Sequence, residues 1–220
     1  MHSKPIRAEI DHHTIKLIIG LIAISLATLT SSFSETPIQS ISASYHEGGW
    51  SRNIFVGFLF AISAFLLAYN GRSTREMVLS KLAAISAMGV AMFPCQCGSH
   101  QEIIPYVHSI SSAIMFVILT VFCYIFFRRA YAKGHTQAMF RAYIYAFCGT
   151  TIIASILIIA TDSLLGGIIS SKIYRLTFFG EAAGLIAFGI AWLTASRTLP
   201  LITSKEERLP LSPFSDHEAN

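Results

Sequence analysis

The chain has 220 residues, of which 53% are apolar and only 13% charged, whereas an ordinary soluble domain carries about 25% charged residues. So few charges cannot cover the surface of a water-soluble fold of this size, and the positive mean hydropathy agrees. The composition therefore argues against soluble enzymes, nucleic-acid-binding domains and disordered chains, and indicates an integral membrane protein.

Six stretches are long and apolar enough to cross a bilayer, which needs about 20 residues per helix. They cover 17–34, 53–71, 82–101, 103–127, 142–161 and 176–196, and only Glu181 in the last is charged. The third is expected to begin near Met77 and end at Pro94, with Lys81 reaching toward the headgroups. The sequence predicts an all-α bundle of six transmembrane helices over residues 15–196, between a flank (1–14) and a flexible tail (197–220).

The first span also has features of a secretory signal, because a basic start precedes an apolar run that ends in small residues. Its run is longer than the usual core of a signal peptide, and no A-x-A cleavage site follows. A retained helix is the favoured interpretation.

The distribution of Lys and Arg predicts how the spans are oriented. If the N-terminus is cytoplasmic, only Arg52, Lys172 and Arg175 of the 16 basic residues lie on the outer side. This asymmetry is a strong positive-inside signal. Both termini are therefore predicted to be cytoplasmic, with the chain in a bacterial inner membrane. The net charge of +4 is then an orientation signal and implies no nucleic-acid partner.

Polar groups gather at the predicted outer ends of the helices, and ionisable groups at such places tend to mark functional sites. The members of this outer polar group are Ser44, Tyr45, Arg52, His108, Asp162 and Glu181. Glu181 has two interpretations: an ion pair with Arg52 that locks two helices together, or a role in ligand binding or acid–base chemistry. The loop before Arg52 is expected to form an extended segment across the bundle mouth or a short interfacial helix.

The leading hypothesis is a pocket for a lipid or small amphiphile, formed by the outer polar group. His108, Glu181 and Ser44 are the candidate catalytic residues, and Tyr45, Arg52 and Asp162 the candidate binding residues. Arg52 would grip an anionic headgroup, while His108 and Glu181 would handle protons. A serine-hydrolase triad of Ser44 with His108 and either Asp162 or Glu181 has the required residue types but no nucleophile elbow.

Two other classes of function stay open. A structural or assembly role would need no pocket. A small transporter would need an ionisable path through the bilayer, and the cytoplasmic halves of the spans offer only Lys81.

A cysteine pair follows the third span, with a histidine close by. Cys95, Cys97 and His100, with His46 from the first outer loop, are weak candidates for a zinc or copper site. A disulfide is an alternative in an oxidising outer compartment, and ordinary loop cysteines are a third.

Small residues on the sixth span predict close helix packing. Gly180 and Gly184 form a G-x-x-x-G pair, a pattern that lets helix backbones approach in lipid. Packing within the bundle is favoured, and a homodimer through this face is the alternative.

Several short segments resemble one family of bacterial polytopic membrane proteins. They are residues 40–45, 52–59, 89–94, the start of the fourth span at His108, Glu181 and residues 188–192. Together they resemble the domain-of-unknown-function family nine-nine-eight and its relatives over residues 15 to 196. The resemblance implies a six-helix inner-membrane protein without established activity, to which the Cys95–Cys97 segment is foreign. A more distant similarity, to ceramidase and progestin-receptor-like membrane hydrolases, lacks their seventh span and their H-x-x-x-H motif.

Overall fold

The computed structural model describes residues 12–98, 100, 103–200 and 202–203, and these are α-helical without strands. The helices are α1 (His12–Ser32), α2 (Ser44–Glu47), α3 (Gly49–Ala68), α4 (Thr74–Met92), α5 (Val107–Tyr131), α6 (Thr136–Leu164) and α7 (Leu176–Ala195). Most of the predicted flank and tail falls outside the described residues.

Five described helices, α1, α3, α5, α6 and α7, are long and apolar enough to cross a membrane. This agrees with the all-α, multi-pass membrane class that the composition predicts. Helix α4 falls short because Arg75, Glu76 and Lys81 occupy its first turns. The sixth crossing and the orientation of the termini therefore stay predictions.

Helix α4 begins three residues before the predicted start because its first turn is capped. The Ser73 side chain accepts a hydrogen bond from the Glu76 amide (3.3 Å) and donates one to the Glu76 carboxylate (3.0 Å), an arrangement close to a capping box. Lys81 extends back toward the end of α3, where its Nζ donates to Asn70 Oδ1 (3.0 Å) and to the carbonyl of Tyr69 (3.4 Å). These bonds satisfy polar groups at the end of α3.

The six long helices form a closed ring. In order around the ring, α1 packs on α3, α3 on α4, α4 on α5, α5 on α6, α6 on α7 and α7 on α1. Helix α4 is therefore a full member of the bundle despite its charges. Residues 33–48 cover one end of the ring. We call this segment the lid and this end of the ring the lid end. The opposite end carries Lys16, Arg72, Arg129 and Arg141, and we call it the basic end.

Trp192 is the centre of an aromatic core inside the ring. Its ring centroid lies 5.2 Å from that of Tyr69, 5.5 Å from Phe122, 6.0 Å from Phe126 and 5.3 Å from Phe188. These residues come from two of the ring helices, α5 and α7, and from the residue that follows α3, so the core joins helices that are distant in sequence.

Helices α1 and α7 approach most closely at two glycines that the sequence interpretation did not single out. A Cβ placed on Gly189 would lie 2.7 Å from the carbonyl oxygen of Gly20 and 2.6 Å from the Ile24 side chain. The predicted pair makes similar contacts within the chain, since a Cβ on Gly180 would meet Ile159 and one on Gly184 would meet Phe116. Homodimerisation through the Gly180/Gly184 face stays a prediction.

Candidate functional site

The lid is a packed element that closes over its end of the bundle. Five of its own side chains are buried: those of Ile38 and Ile41 and the serines at positions 40, 42 and 44. Of the two predicted conformations, the structure has the short helix, α2. The Thr36 hydroxyl donates to Glu47 Oε1 (2.8 Å) and holds the pKa of Glu47 below its ordinary value.

Glu181 fastens the lid to α7. Its carboxylate accepts hydrogen bonds from the Ile41 amide (2.5 Å) and the Ser42 hydroxyl (3.4 Å). The single ion pair found among the described residues joins Arg129 and Glu76, so the suggested pair between Arg52 and Glu181 is not formed. The carboxylate instead accepts a hydrogen bond from the Ile41 amide, which lies in the lid before α2 begins.

Arg175 is a second fastening, at the start of α7. Its Nε donates to the Ile38 carbonyl (2.7 Å) and one Nη donates to Ser31 Oγ (3.1 Å). Its guanidinium lies 3.9 Å from the centre of the Phe178 ring, a favourable cation–π distance. The Phe178 amide in turn donates to the Gln39 carbonyl (3.0 Å). The middle of the lid, residues 38–42, is thus tied to α7 and to the residue before it.

The four candidate metal ligands lie close together, at a part of the lid away from its contacts with α7. His46 Nε2 is 2.8 Å from the carbonyl oxygen of Cys95, and its ring stacks on His100 at 4.1 Å. Cys95 and Cys97 are joined in a disulfide, which is the oxidation alternative, and disulfide sulfurs are not thiolate ligands. The described part of the chain has no group of three or more His, Cys, Asp and Glu side chains placed to hold a metal ion. Zinc or copper binding stays a prediction for a reduced form.

Of the four candidate triad residues, Ser44, His108 and Asp162 bond to backbone, as Glu181 does. Ser44 is buried and donates to the Ile41 carbonyl. His108 Nδ1 lies 2.8 Å from the Phe93 carbonyl oxygen. Asp162 Oδ1 accepts hydrogen bonds from the amides of Ile169 (2.8 Å) and Ser170 (2.9 Å). The structure therefore places these residues at the lid end, without a hydrogen bond from Ser44 to His108.

Tyr45 and Arg52 form a pair on the outer surface of the lid. The Arg52 guanidinium lies 6.0 Å from the centre of the half-buried Tyr45 ring. Tyr45 also contacts His46 edge to face, at 5.7 Å. The predicted cover residue and headgroup ligand are thus adjacent, and the Arg52 side chain is exposed.

A cavity of about 390 Å³ opens at the lid end between the lid, the loop after α6 and the start of α7. Its lining residues are Gln39, Gly167, Ser170, Ser171, Arg175, Leu176 and Thr177. Asp162 supports one wall through its bond to the Ser170 amide. The outer polar group itself does not line this cavity. Sequence reasoning missed its lining, although Arg175 was one of only three basic residues assigned to the outer side.

Comparison of the chain with protein-family models, with curated proteins and with solved structures finds no match. The resemblance to the family named above stays a prediction, and function has to be argued from the chain's own geometry.

Proposed function

We propose that the chain crosses a bacterial inner membrane six times, with both termini cytoplasmic and the lid end outside. Three observations support this number of crossings and this orientation. Helix α4 fills a place in the ring between α3 and α5. The disulfide is at the lid end, and disulfides persist in oxidising compartments. Clustered basic residues mark the other end, as the positive-inside rule requires.

The function that we propose is binding of an anionic lipid or small anionic amphiphile in the lid-end cavity. The observation that carries the proposal is the lining: one guanidinium, from Arg175, with hydroxyl groups and an amide around it and no carboxylate. Arg175 uses two of its donor atoms on the lid and Ser31, and a guanidinium has five N–H donors. The remaining donors suit a phosphate or carboxylate headgroup, while acyl chains would extend into lipid.

The outer polar group has a supporting part in this proposal. Glu181 holds the lid wall and Asp162 holds the opposite loop, so both carboxylates shape the cavity from behind. Tyr45 and Arg52 lie at the rim of the lid. No reaction is proposed, because the hydroxyl of Ser44 and the imidazole of His108 bond to backbone carbonyls.

Binding of a fluorescent phosphatidylglycerol to the purified chain in maltoside micelles tests the proposal. We expect Ser171→Phe to weaken binding about tenfold or more, because the aromatic ring fills an exposed part of the cavity without touching the lid bonds. Arg175→Gln should weaken it by a similar factor through loss of a charge-assisted hydrogen bond, worth roughly 1.5–3 kcal/mol. Uncharged fluorescent diacylglycerol is the ligand control.

The matched control variant is Arg52→Gln, which removes an equal charge from the same end but leaves the cavity lining unchanged. It should retain binding within about twofold. If Arg52→Gln weakens binding as much as Arg175→Gln, the headgroup is gripped on the lid surface and the cavity is the wrong site.

A structural or assembly function is the second candidate. It is favoured by the engagement of Glu181, Arg175 and His46 in contacts that hold the lid. A wild-type chain that binds neither phosphatidylglycerol nor diacylglycerol, while remaining folded, would support this candidate against the first.

A further inference from the structure

The basic end contains a second cavity, of about 240 Å³, with an unusual charge distribution. Six basic side chains line it: Lys16, Arg72, Arg129, Lys133, Arg141 and Arg197. No Asp or Glu is among its described lining residues, and the other walls are Phe126, Tyr145 and three alanines. Like charges at such close quarters repel one another, and a bound anion would relieve that repulsion.

Lys16 is the most informative member of this group. Its side chain lies in the first turns of α1 and is only 7% exposed. Its Nζ is 5.4 Å from the centre of the Tyr69 ring and 5.6 Å from that of Phe126, but it donates no hydrogen bond to any residue that the structure describes. An ammonium group has three donors, and leaving them unsatisfied in a buried place is costly. The cavity is the open direction for those donors.

Two of the arginines around Lys16 are held in place by other contacts. Glu76 binds the guanidinium of Arg129 through two hydrogen bonds, and this neutralises one of the six charges from behind. Arg141 is buried and donates to the carbonyl of Ile202 (2.7 Å). The wall formed by Arg129 and Arg141 is therefore pre-organised, which lowers the entropic cost of binding a ligand.

We propose that this cavity binds a phosphate group at the cytoplasmic end of the bundle. Arginine forks match phosphate oxygens in pairs, and the Lys16 ammonium supplies a point charge at the buried end. Basic pockets between helices at a cytoplasmic membrane surface are suited to anionic lipid headgroups. A soluble phosphate compound has the same recognition chemistry, so the assignment is to the phosphate group itself.

The experiment measures the melting temperature of the full-length chain in maltoside micelles at constant ionic strength. One arm titrates inorganic phosphate against chloride. The other adds phosphatidic acid to the micelles, with phosphatidylcholine as the reference lipid. We expect stabilisation in at least one arm: phosphate alone points to a soluble ligand, and phosphatidic acid alone points to a lipid headgroup.

Lys16→Met is the decisive variant, because Met keeps most of the side-chain volume. Without ligand it should melt at the wild-type temperature or above, since a buried cation without hydrogen bonds is removed. Its apparent affinity for the phosphate probe should fall about tenfold or more. Arg75→Gln is the control: Arg75 is exposed at the same end and does not line the cavity, so its affinity should stay within about twofold.

Three results would overturn the proposal. Neither probe stabilises the wild-type chain, or Lys16→Met responds as the wild type does, or Arg75→Gln loses as much affinity as Lys16→Met. The last would mean that only general surface charge attracts the anion. Because Lys16 lies opposite the lid and does not line the lid-end cavity, the difference between Lys16→Met and the wild type is independent of lipid binding at Arg175.

Discussion

Glu181 illustrates how a carboxylate near a helix end is used when a loop folds over it. Its position and polarity were visible in the sequence, but its partners were not. Its carboxylate can accept a hydrogen bond from the Ile41 amide only because the lid turns at residues 40–43. An arginine nearby in the predicted topology, Arg52, was the simpler partner, yet in the structure it lies over Tyr45.

Replacing Glu181 with Ala should loosen the lid without unfolding the bundle. The Ile41 amide loses its acceptor, which costs about 1–3 kcal/mol for a buried unsatisfied group. Hydrogen-exchange mass spectrometry should show faster exchange in peptides covering residues 33–48 and unchanged exchange in α5. Arg52→Gln is the control and should leave lid exchange unaltered. Equal loosening by Arg52→Gln would mean that Arg52 and Glu181 act as a pair after all.

The cysteines allow a direct chemical check of the metal and disulfide alternatives. In native protein, maleimide should not modify Cys95 and Cys97 until a reductant is added. Cys123 and Cys148 are buried free thiols and should react only after denaturation, which separates the two pairs by mass spectrometry. Two thiols that react in native, unreduced protein and are protected by zinc would contradict the disulfide.

The apolar runs of the sequence predict where the long helices lie, but they predict the first and last residues of those helices less well. An apolar run leaves out a charged first turn, although capping at Ser73 extends α4 through Arg75 and Glu76. The contact between Gly20 and Gly189 was not predictable, because neither glycine belongs to a small-residue pair within its own helix. Only the ring arrangement brings α1 beside α7.

Gly189→Val should destabilise the α1–α7 contact strongly. The new side chain would collide with the Gly20 carbonyl and Ile24, and overpacking of a dense interior costs about 1–3 kcal/mol or more. The melting temperature in micelles should fall clearly below that of wild type. Gly57→Val is the matched control, because Gly57 is an exposed helical glycine with no atom within 4 Å of an added Cβ. Equal losses for both variants would show that helix propensity, rather than the close approach, sets the cost.

For the whole molecule, composition was enough to predict a helical membrane protein, and the location of polar groups at one end was also visible. The contacts within that end were not, because they join the lid to distant helix termini. The cavity at the basic end was missed for a different reason. A count of Lys and Arg residues on each side predicts orientation only, and it does not reveal that six of them converge on one cavity.

Both proposed sites depend on the chain crossing the membrane at α4, so that the lid and the basic end face opposite compartments. Single cysteines on either side of α4 test this most directly, at Arg75 in its first turn and at Ile103, which is 71% exposed beyond its end. A membrane-impermeant maleimide applied to intact bacterial cells should label Ile103→Cys at once, and Arg75→Cys only after the cells are permeabilised. Equal labelling of the two variants before permeabilisation, or labelling of Arg75→Cys alone, would contradict the six-crossing arrangement.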